Sequence, residues 1–127
     1  MDASANAINW FEVSVGDIER AKKFYETIFS IKMEEMEMGG MKMAMFPYEP
    51  MGGKLSGALA QSDMHKPSAE GIKVYFNGDP DLDVVLSKVE AAGGKVTMPK
   101  GKISDEIGYM AFFTDTEGNA VALHSRN

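Results

Sequence analysis

Alternation and helical spacing divide the chain into two similar halves. From Ile8 to Val15, Phe11, Val13 and Val15 share one face and Trp10, Glu12 and Ser14 the other, the period-two pattern of a half-buried strand. Asp17 is placed to cap a helix. Ile18, Ala21, Phe24, Tyr25, Ile28 and Phe29 then recur at helical spacing, with Glu19, Arg20, Lys23 and Glu26 turned away. Short strands are predicted over Ile31 to Met38, Met41 to Phe46 and Leu55 to Ala60. Gly39-Gly40 supplies a hairpin turn and Pro47 to Lys54 a loop. Gln61 to Glu70, polar and carrying Pro67, reads as a linker.

The second half repeats the order. Ile72, Val74 and Phe76 form a strand face expected to join the core; Lys73, Tyr75 and Asn77 form the other face. Asp79-Pro80 predicts a helix start, with Leu82, Val85, Leu86, Val89 and Ala92 as its buried stripe and Gly93-Gly94 as its end. Strands are predicted over Lys95 to Met98, Lys102 to Ser104, Tyr109 to Thr114 and Ala120 to His124. Asp115 to Asn119 is the turn before the last. The pattern predicts an α+β fold of two βαβββ modules, about 8–60 and 71–125, in a single domain over residues 1–127. Their mixed, curved sheet is expected to surround a cleft.

Composition narrows the chemistry. The chain has 127 residues and no cysteine, which excludes disulfides, thiolate metal sites and a cysteine nucleophile. Its net charge is −6, with Arg20 and Arg126 the two arginines and no basic stripe, so nucleic acid is not an expected partner. No apolar run approaches the length of a membrane span, and residues 1–6 lack the pattern of an export signal; a cytoplasmic protein with no membrane partner is the expectation. Eight of the eleven methionines lie between Met33 and Met64. Flexible thioethers suit either a permissive pocket or the filling of gaps between modules, and the second use is the commoner.

Three segments carry a family resemblance. Val15 to Phe29, with its Phe24-Tyr25 pair, Val89 to Val96, and Phe113 to Leu123 resemble the first helix, the end of the second-half helix and the final hairpin of the vicinal oxygen chelate superfamily. That superfamily includes glyoxalase I, bleomycin- and fosfomycin-resistance proteins and extradiol dioxygenases. The resemblance implies paired βαβββ modules with a cleft. In metal-dependent members a divalent ion sits there, held by His, Glu or Gln side chains from both modules. One ligand precedes the helix-opening aspartate by seven residues, which is Trp10 here. The second position falls on Lys73 or Val74. A carboxylate three residues beyond the hairpin's Gly-Asn falls on Ala122, and the strand near Leu55 to Ala60 offers only Ser56 as a polar side chain. Indole and methyl groups cannot coordinate and an ammonium repels a cation, so neither a metal ion nor any other cofactor is expected.

The expected function is therefore binding of a small organic molecule in a partly apolar cleft, as in bleomycin-resistance-type proteins. The alternative is an enzyme of lyase, isomerase or dioxygenase type. Trp10, Tyr75 and Tyr109 are candidates for an aromatic lining, Lys73 for a positive charge suited to a planar or anionic ligand, and Ala122 for the wall. Glu12 and His124 are the candidate catalytic groups, as acid or base; His65, in the linker, is the weaker histidine. A homodimer is expected, because small chains bury less surface alone and family members often pair modules between chains.

Overall fold

The computed structural model describes residues 2–4, 6, 8–49 and 51–127. The first module runs β1 (Trp10–Ser14), α1 (Ile18–Phe29), β2 (Glu34–Met38), β3 (Met41–Met45) and β4 (Ser56–Gln61). The second runs β5 (Tyr75–Asn77), α2 (Asp83–Val89), β6 (Lys95–Ser104), β7 (Gly108–Thr114) and β8 (Ala120–Ser125). Each module forms one four-stranded sheet, in the orders β1-β4-β3-β2 and β5-β8-β7-β6. Both are mixed: the first strand runs parallel to the last, and the other neighbours are antiparallel. β1 and β5 are thus both edge strands, and the opening between the modules lies along these edges rather than within a strongly curled sheet.

The helical stripe of α1 explains how the halves join. Ile18, Ala21, Phe24, Tyr25 and Ile28 are buried, and Asp17 caps the helix by accepting the Arg20 N–H at 3.1 Å. Phe24 packs on Phe113 of β7 with ring centroids 6.0 Å apart, and Tyr25 lies 5.7 Å from Phe46 and 5.6 Å from Phe76. One helix of the first module therefore packs on residues of both modules. Burying each such ring contributes roughly 1.5–3 kcal/mol, so the aromatic row is a main source of cohesion between the halves. Gly57 on β4 lets β1 approach closely: a side chain there would collide with the backbone and ring of Phe11. Gly39 and Gly40 both take positive φ in the turn between β2 and β3, as a two-residue hairpin requires.

The second helix departs from expectation. It begins at Asp83, and Leu82 precedes it without a side-chain cap. Asp79 is engaged elsewhere, accepting the Arg126 N–H at 2.8 Å, and the Asp79-Pro80 peptide is cis. Ser125, at the end of β8, instead accepts the Leu82 N–H at 3.0 Å. Gln61, at the end of β4, does the same for Ile18 at 2.8 Å, so in both modules the last strand supplies a bond to the start of the helix, while Asp17 in addition caps α1 alone. Ile72, expected in the core, is 92% exposed because β5 begins only at Tyr75. The segments predicted at 95–98 and 102–104 are one strand, β6, interrupted by register shifts.

Alternation places Met36, Met38, Met41, Met43 and Met45 on the sheet face opposite Ala44 and Phe46, which join the core. Met36 pairs across with Met43, and Met38 with Met41. Of these, Met43 is buried while Met36 and Met38 are exposed. No helix among the described residues is long and apolar enough to cross a membrane.

Candidate functional site

A cavity of about 960 Å³ lies between β1 and β5. Its inner wall is Phe11, Val13, Phe46, Phe76 and Val121. The three phenylalanines form a closed set, with centroids 5.6 Å apart for Phe11–Phe46 and Phe11–Phe76 and 5.1 Å for Phe46–Phe76. Trp10, Glu12 and Ser14 of β1 and Tyr75 and Asn77 of β5 complete the strand-borne wall, with Ile8, Leu55 and Ile72 at exposed positions of the lining. An apolar concavity with few polar groups is the usual form of a small-molecule site.

Matching hydrogen bonds align the two modules. The Val15 N–H bonds the Ala60 carbonyl at 2.9 Å, as the Gly78 N–H bonds that of His124 at 2.8 Å. Trp10 then corresponds to Lys73 rather than Val74. Glu12 corresponds to Tyr75, and Ala58 to Ala122. Ser56, the polar residue of β4, corresponds to Ala120 and accordingly does not occupy the counterpart of the Ala122 position. Four positions related by the pseudo-symmetry thus hold an indole, an ammonium and two methyl groups. The Lys73 ammonium donates to the Ala69 carbonyl at 2.7 Å. Among the described residues no group of three or more His, Asp or Glu side chains is placed to hold a metal ion. The residues present do not fit the divalent ion that the family resemblance implies.

Trp10 is 36% exposed, lines the cavity and meets Tyr48 edge-on at 6.1 Å. Tyr75 also lines it and meets Phe112 edge-on at 5.8 Å. Ala122 is fully buried, paired with Tyr75 and Phe112. Tyr109 lies elsewhere, packed against the core under the Lys100 ammonium, which sits 4.6 Å from its ring centroid.

The two candidate acid–base groups take different partners. His124 shares no bond with Glu12; its Nε2 lies 2.7 Å from the Ile107 carbonyl oxygen. Glu12 instead meets His65, with Oε2 and Nε2 2.8 Å apart. The other ring nitrogen of His65 lies 2.7 Å from Ser62 Oγ. Ser62, His65 and Glu12 form a continuous polar chain at the edge of the cavity. The segment between the modules therefore folds over β1, and its Lys66, Ser68 and Glu70 belong to the cavity wall. Its far end is also fixed: the Ser68 N–H donates to Asn119 Oδ1 at 2.9 Å, while Asn119 Nδ2 donates to the Ser14 carbonyl at 2.7 Å. The role of Asn119 has no signal in the sequence beyond its place in a turn-rich hairpin.

Asn119 belongs to a larger junction. Asp115 is buried, accepts the Tyr25 hydroxyl at 2.8 Å and Asn119 Nδ2 at 2.9 Å, and takes the N–H groups of Glu117 and Asn119. Burial pushes the Tyr25 phenol well above its ordinary pKa, and the adjacent Asp115 carboxylate adds to this. These bonds hold the final hairpin, and so Asn119 and Ala120 in the cavity wall, against α1.

Residues 7–123 match the Glyoxalase/Bleomycin resistance protein/Dioxygenase superfamily. The chain belongs to this superfamily. It is 32% identical over 122 residues to the putative glyoxylase CFP32 of Mycobacterium tuberculosis, covering 94% of this chain and 45% of that protein. The chain thus spans about half the length of the curated mycobacterial relatives it matches. A glyoxylase-like domain-containing protein of Didymella fabae is 29% identical over 120 residues, covering 94% of this chain and 93% of that protein. Among solved structures, a glyoxylase/bleomycin resistance protein/dioxygenase domain from Frankia sp. superimposes with a TM-score of 0.69 at 18% identity, covering 95% of this chain and 98% of that one. A glyoxalase I mutant from Zea mays gives 0.69 at 20% identity, over 93% of this chain and 44% of that one. At these identities the structural likeness speaks to the superfamily fold.

Proposed function

We propose that this superfamily member binds a small organic molecule in the cavity between β1 and β5, without a metal centre of the family type. The observation that carries the reading is the cavity itself. It has an aromatic inner wall, Trp10 and Tyr75 on its strand edges, and no donor set at the four symmetry-related positions. Apolar walls supply affinity, and the few polar groups set orientation. Titration of the fluorescence of Trp10, the single tryptophan, against a panel of small aromatic and aliphatic metabolites tests it. A saturable change with at least one of them is expected; no response across the panel, with calorimetry equally silent, would overturn the reading.

A second reading, an enzyme working without a bound metal, is favoured by the Ser62–His65–Glu12 chain. A carboxylate and an imidazole in hydrogen-bond contact beside a cavity are the components of a proton-transfer site. The relatives named as glyoxylases add family weight to an enzyme, while the side chains at the four positions argue against metal-dependent glyoxalase I or extradiol chemistry. Solvent-deuterium incorporation into a bound ligand, abolished in Glu12→Gln, is the expected sign of turnover; bound ligands that never exchange or change would leave binding as the activity.

The protein is further proposed to pair as a homodimer, supported by the exposed Met36 and Met38 on a methionine-rich sheet face. Sedimentation equilibrium is expected to exceed the 13.9 kDa chain mass; a monomer across micromolar concentrations would rule this out.

A further inference from the structure

We infer that Glu12 is the group by which the cavity selects its ligand, and that the ligand presents an ammonium or similar N–H donor on an aromatic body. This rests on the reading of the cavity as a binding site. Among the described cavity-lining residues carried by strands, Glu12 alone is charged; Trp10, Ser14, Ser56, Tyr75 and Asn77 are aromatic or neutral. The remaining lining charges, Lys66, Glu70 and Lys73, sit on exposed loop positions, and the Lys73 ammonium is already bonded to the Ala69 carbonyl. Glu12 is also exposed, its side chain keeping 34% of its surface, but the β1 ladder and His65 fix it in place, and a fixed charge discriminates where charges on loops adapt.

The hydrogen bonding of Glu12 is incomplete. Oε2 faces His65 Nε2 at 2.8 Å, while Oε1 takes no hydrogen bond from the described residues. An ionised carboxylate offers about four acceptor sites, so most of the capacity of Glu12 is unused. His65 is itself held, since Ser62 Oγ engages its second nitrogen at 2.7 Å and also accepts the Met64 N–H at 3.1 Å. His65 is therefore a positioning residue that fixes one carboxylate oxygen and leaves the other for a ligand. Trp10 precedes Glu12 by two residues on the same strand face, and the pseudo-symmetric counterpart of Glu12 is Tyr75. A cation at Glu12 gains a charge-assisted bond and lies near aromatic rings that favour it. A carboxylate ligand meets like charge at the same place.

Calorimetry on the full chain with three probes of one shape decides the matter: naphthylmethylammonium, naphthylmethanol and naphthoate. The ammonium is expected to bind about tenfold tighter than the alcohol, with naphthoate weakest. Glu12→Gln, a near-isosteric change at a partly exposed side chain, should remove the preference for the ammonium over the alcohol. His65→Ala should reduce the ammonium preference. His65→Gln, whose amide still donates to Glu12, should retain it, which a purely structural role would not produce. Preference for naphthoate would overturn the inference and point to Lys73. A preference for ammonium that survives in Glu12→Gln, or equal binding of all three probes, would overturn it while keeping the cavity as a binding site. Failure of every probe to bind the wild type would defeat the binding-site reading and this inference with it.

Discussion

The Glu117 carboxylate takes two bonds from the Arg20 guanidinium, Nε to Oε2 at 2.7 Å and Nη2 to Oε1 at 2.8 Å, and so joins the last hairpin to the first helix. The same carboxylate accepts the Gly16 N–H at 3.0 Å and the Asp17 N–H at 2.9 Å just before α1, and the Thr116 hydroxyl at 2.8 Å. Its side chain has no exposed surface, whereas that of Arg20 is half exposed. Burial pushes the Glu117 pKa up, but the bonds from Arg20, Thr116 and the Asp17 N–H outweigh it, and the net shift is downward.

Glu117→Gln is therefore expected to lower stability by about 1–2 kcal/mol at neutral pH, the exposure of Arg20 keeping the figure below that of a fully buried pair. The pH dependence has a defined sign. The folded carboxylate holds its proton less tightly than the unfolded one, so the unfolded chain binds more protons and stability rises with pH through that window. The contribution is present above the unfolded carboxylate pKa, about 4.3, and is lost as pH falls through the lower folded value. Denaturation midpoints measured down the acid limb should fall less steeply in Glu117→Gln than in wild type; parallel limbs would contradict this.

Tyr25 offers the complementary test at high pH. Its hydroxyl donates to buried Asp115 at 2.8 Å, and its pKa is raised. Tyr25→Phe should cost about 1.5–3 kcal/mol, the range for a hydrogen bond to a charged group, because Asp115 Oδ2 keeps Asn119 but loses the phenol. In wild type the contribution of the neutral phenol is complete below the unfolded tyrosine pKa, about 10, and is lost as pH rises toward the higher folded value. Spectrophotometric titration of the four tyrosines should show one that ionises only as the protein unfolds, absent in Tyr25→Phe.

Local features were legible where local forces decide them. The α1 stripe, the Asp17 cap, the Gly39-Gly40 hairpin and the strand parity of Trp10 and Glu12 all follow from neighbours within a few residues. The start of α2 was not, because Asp79 is drawn to the Arg126 backbone and Ser125 does the capping from 43 residues away. The partner of Glu12 was hidden for the same reason. His65 lies 53 residues further on in a polar segment with no periodicity, and nothing local indicates that this segment folds back over β1. His124 shares strand parity with Ala122, which says which face it takes but not how far along the strand Glu12 lies.

The metal expectation has a direct check. With Trp10, Lys73, Ala58 and Ala122 at the four related positions, protein purified without chelator is expected to carry far less than one zinc, nickel, iron or manganese per chain, and chelator should leave its melting temperature unchanged. Elemental analysis giving close to one tightly held ion per chain would contradict this. It would direct attention to Glu12 and His65, two donors that the structure brings together beside the cavity.

Trp10 separates a cavity wall from ordinary core. Complete burial of a large aromatic makes its truncation to alanine cost about 3–5 kcal/mol, and Phe113→Ala, with Phe113 fully buried between α1 and the second sheet, is expected to fall in that range. Trp10 keeps 36% of its surface exposed, touches Tyr48 edge-on and lines the cavity. Its truncation leaves a hollow that solvent already reaches, so Trp10→Ala should cost about 1 kcal/mol. Ligand affinity should fall more steeply, because the lost ring is a contact surface for whatever the cavity holds. Denaturation and ligand titration of the same two variants provide the comparison. A stability loss in Trp10→Ala as large as that in Phe113→Ala, with ligand affinity unchanged, would assign Trp10 to the core. It would leave the cavity wall to Tyr75 and Glu12.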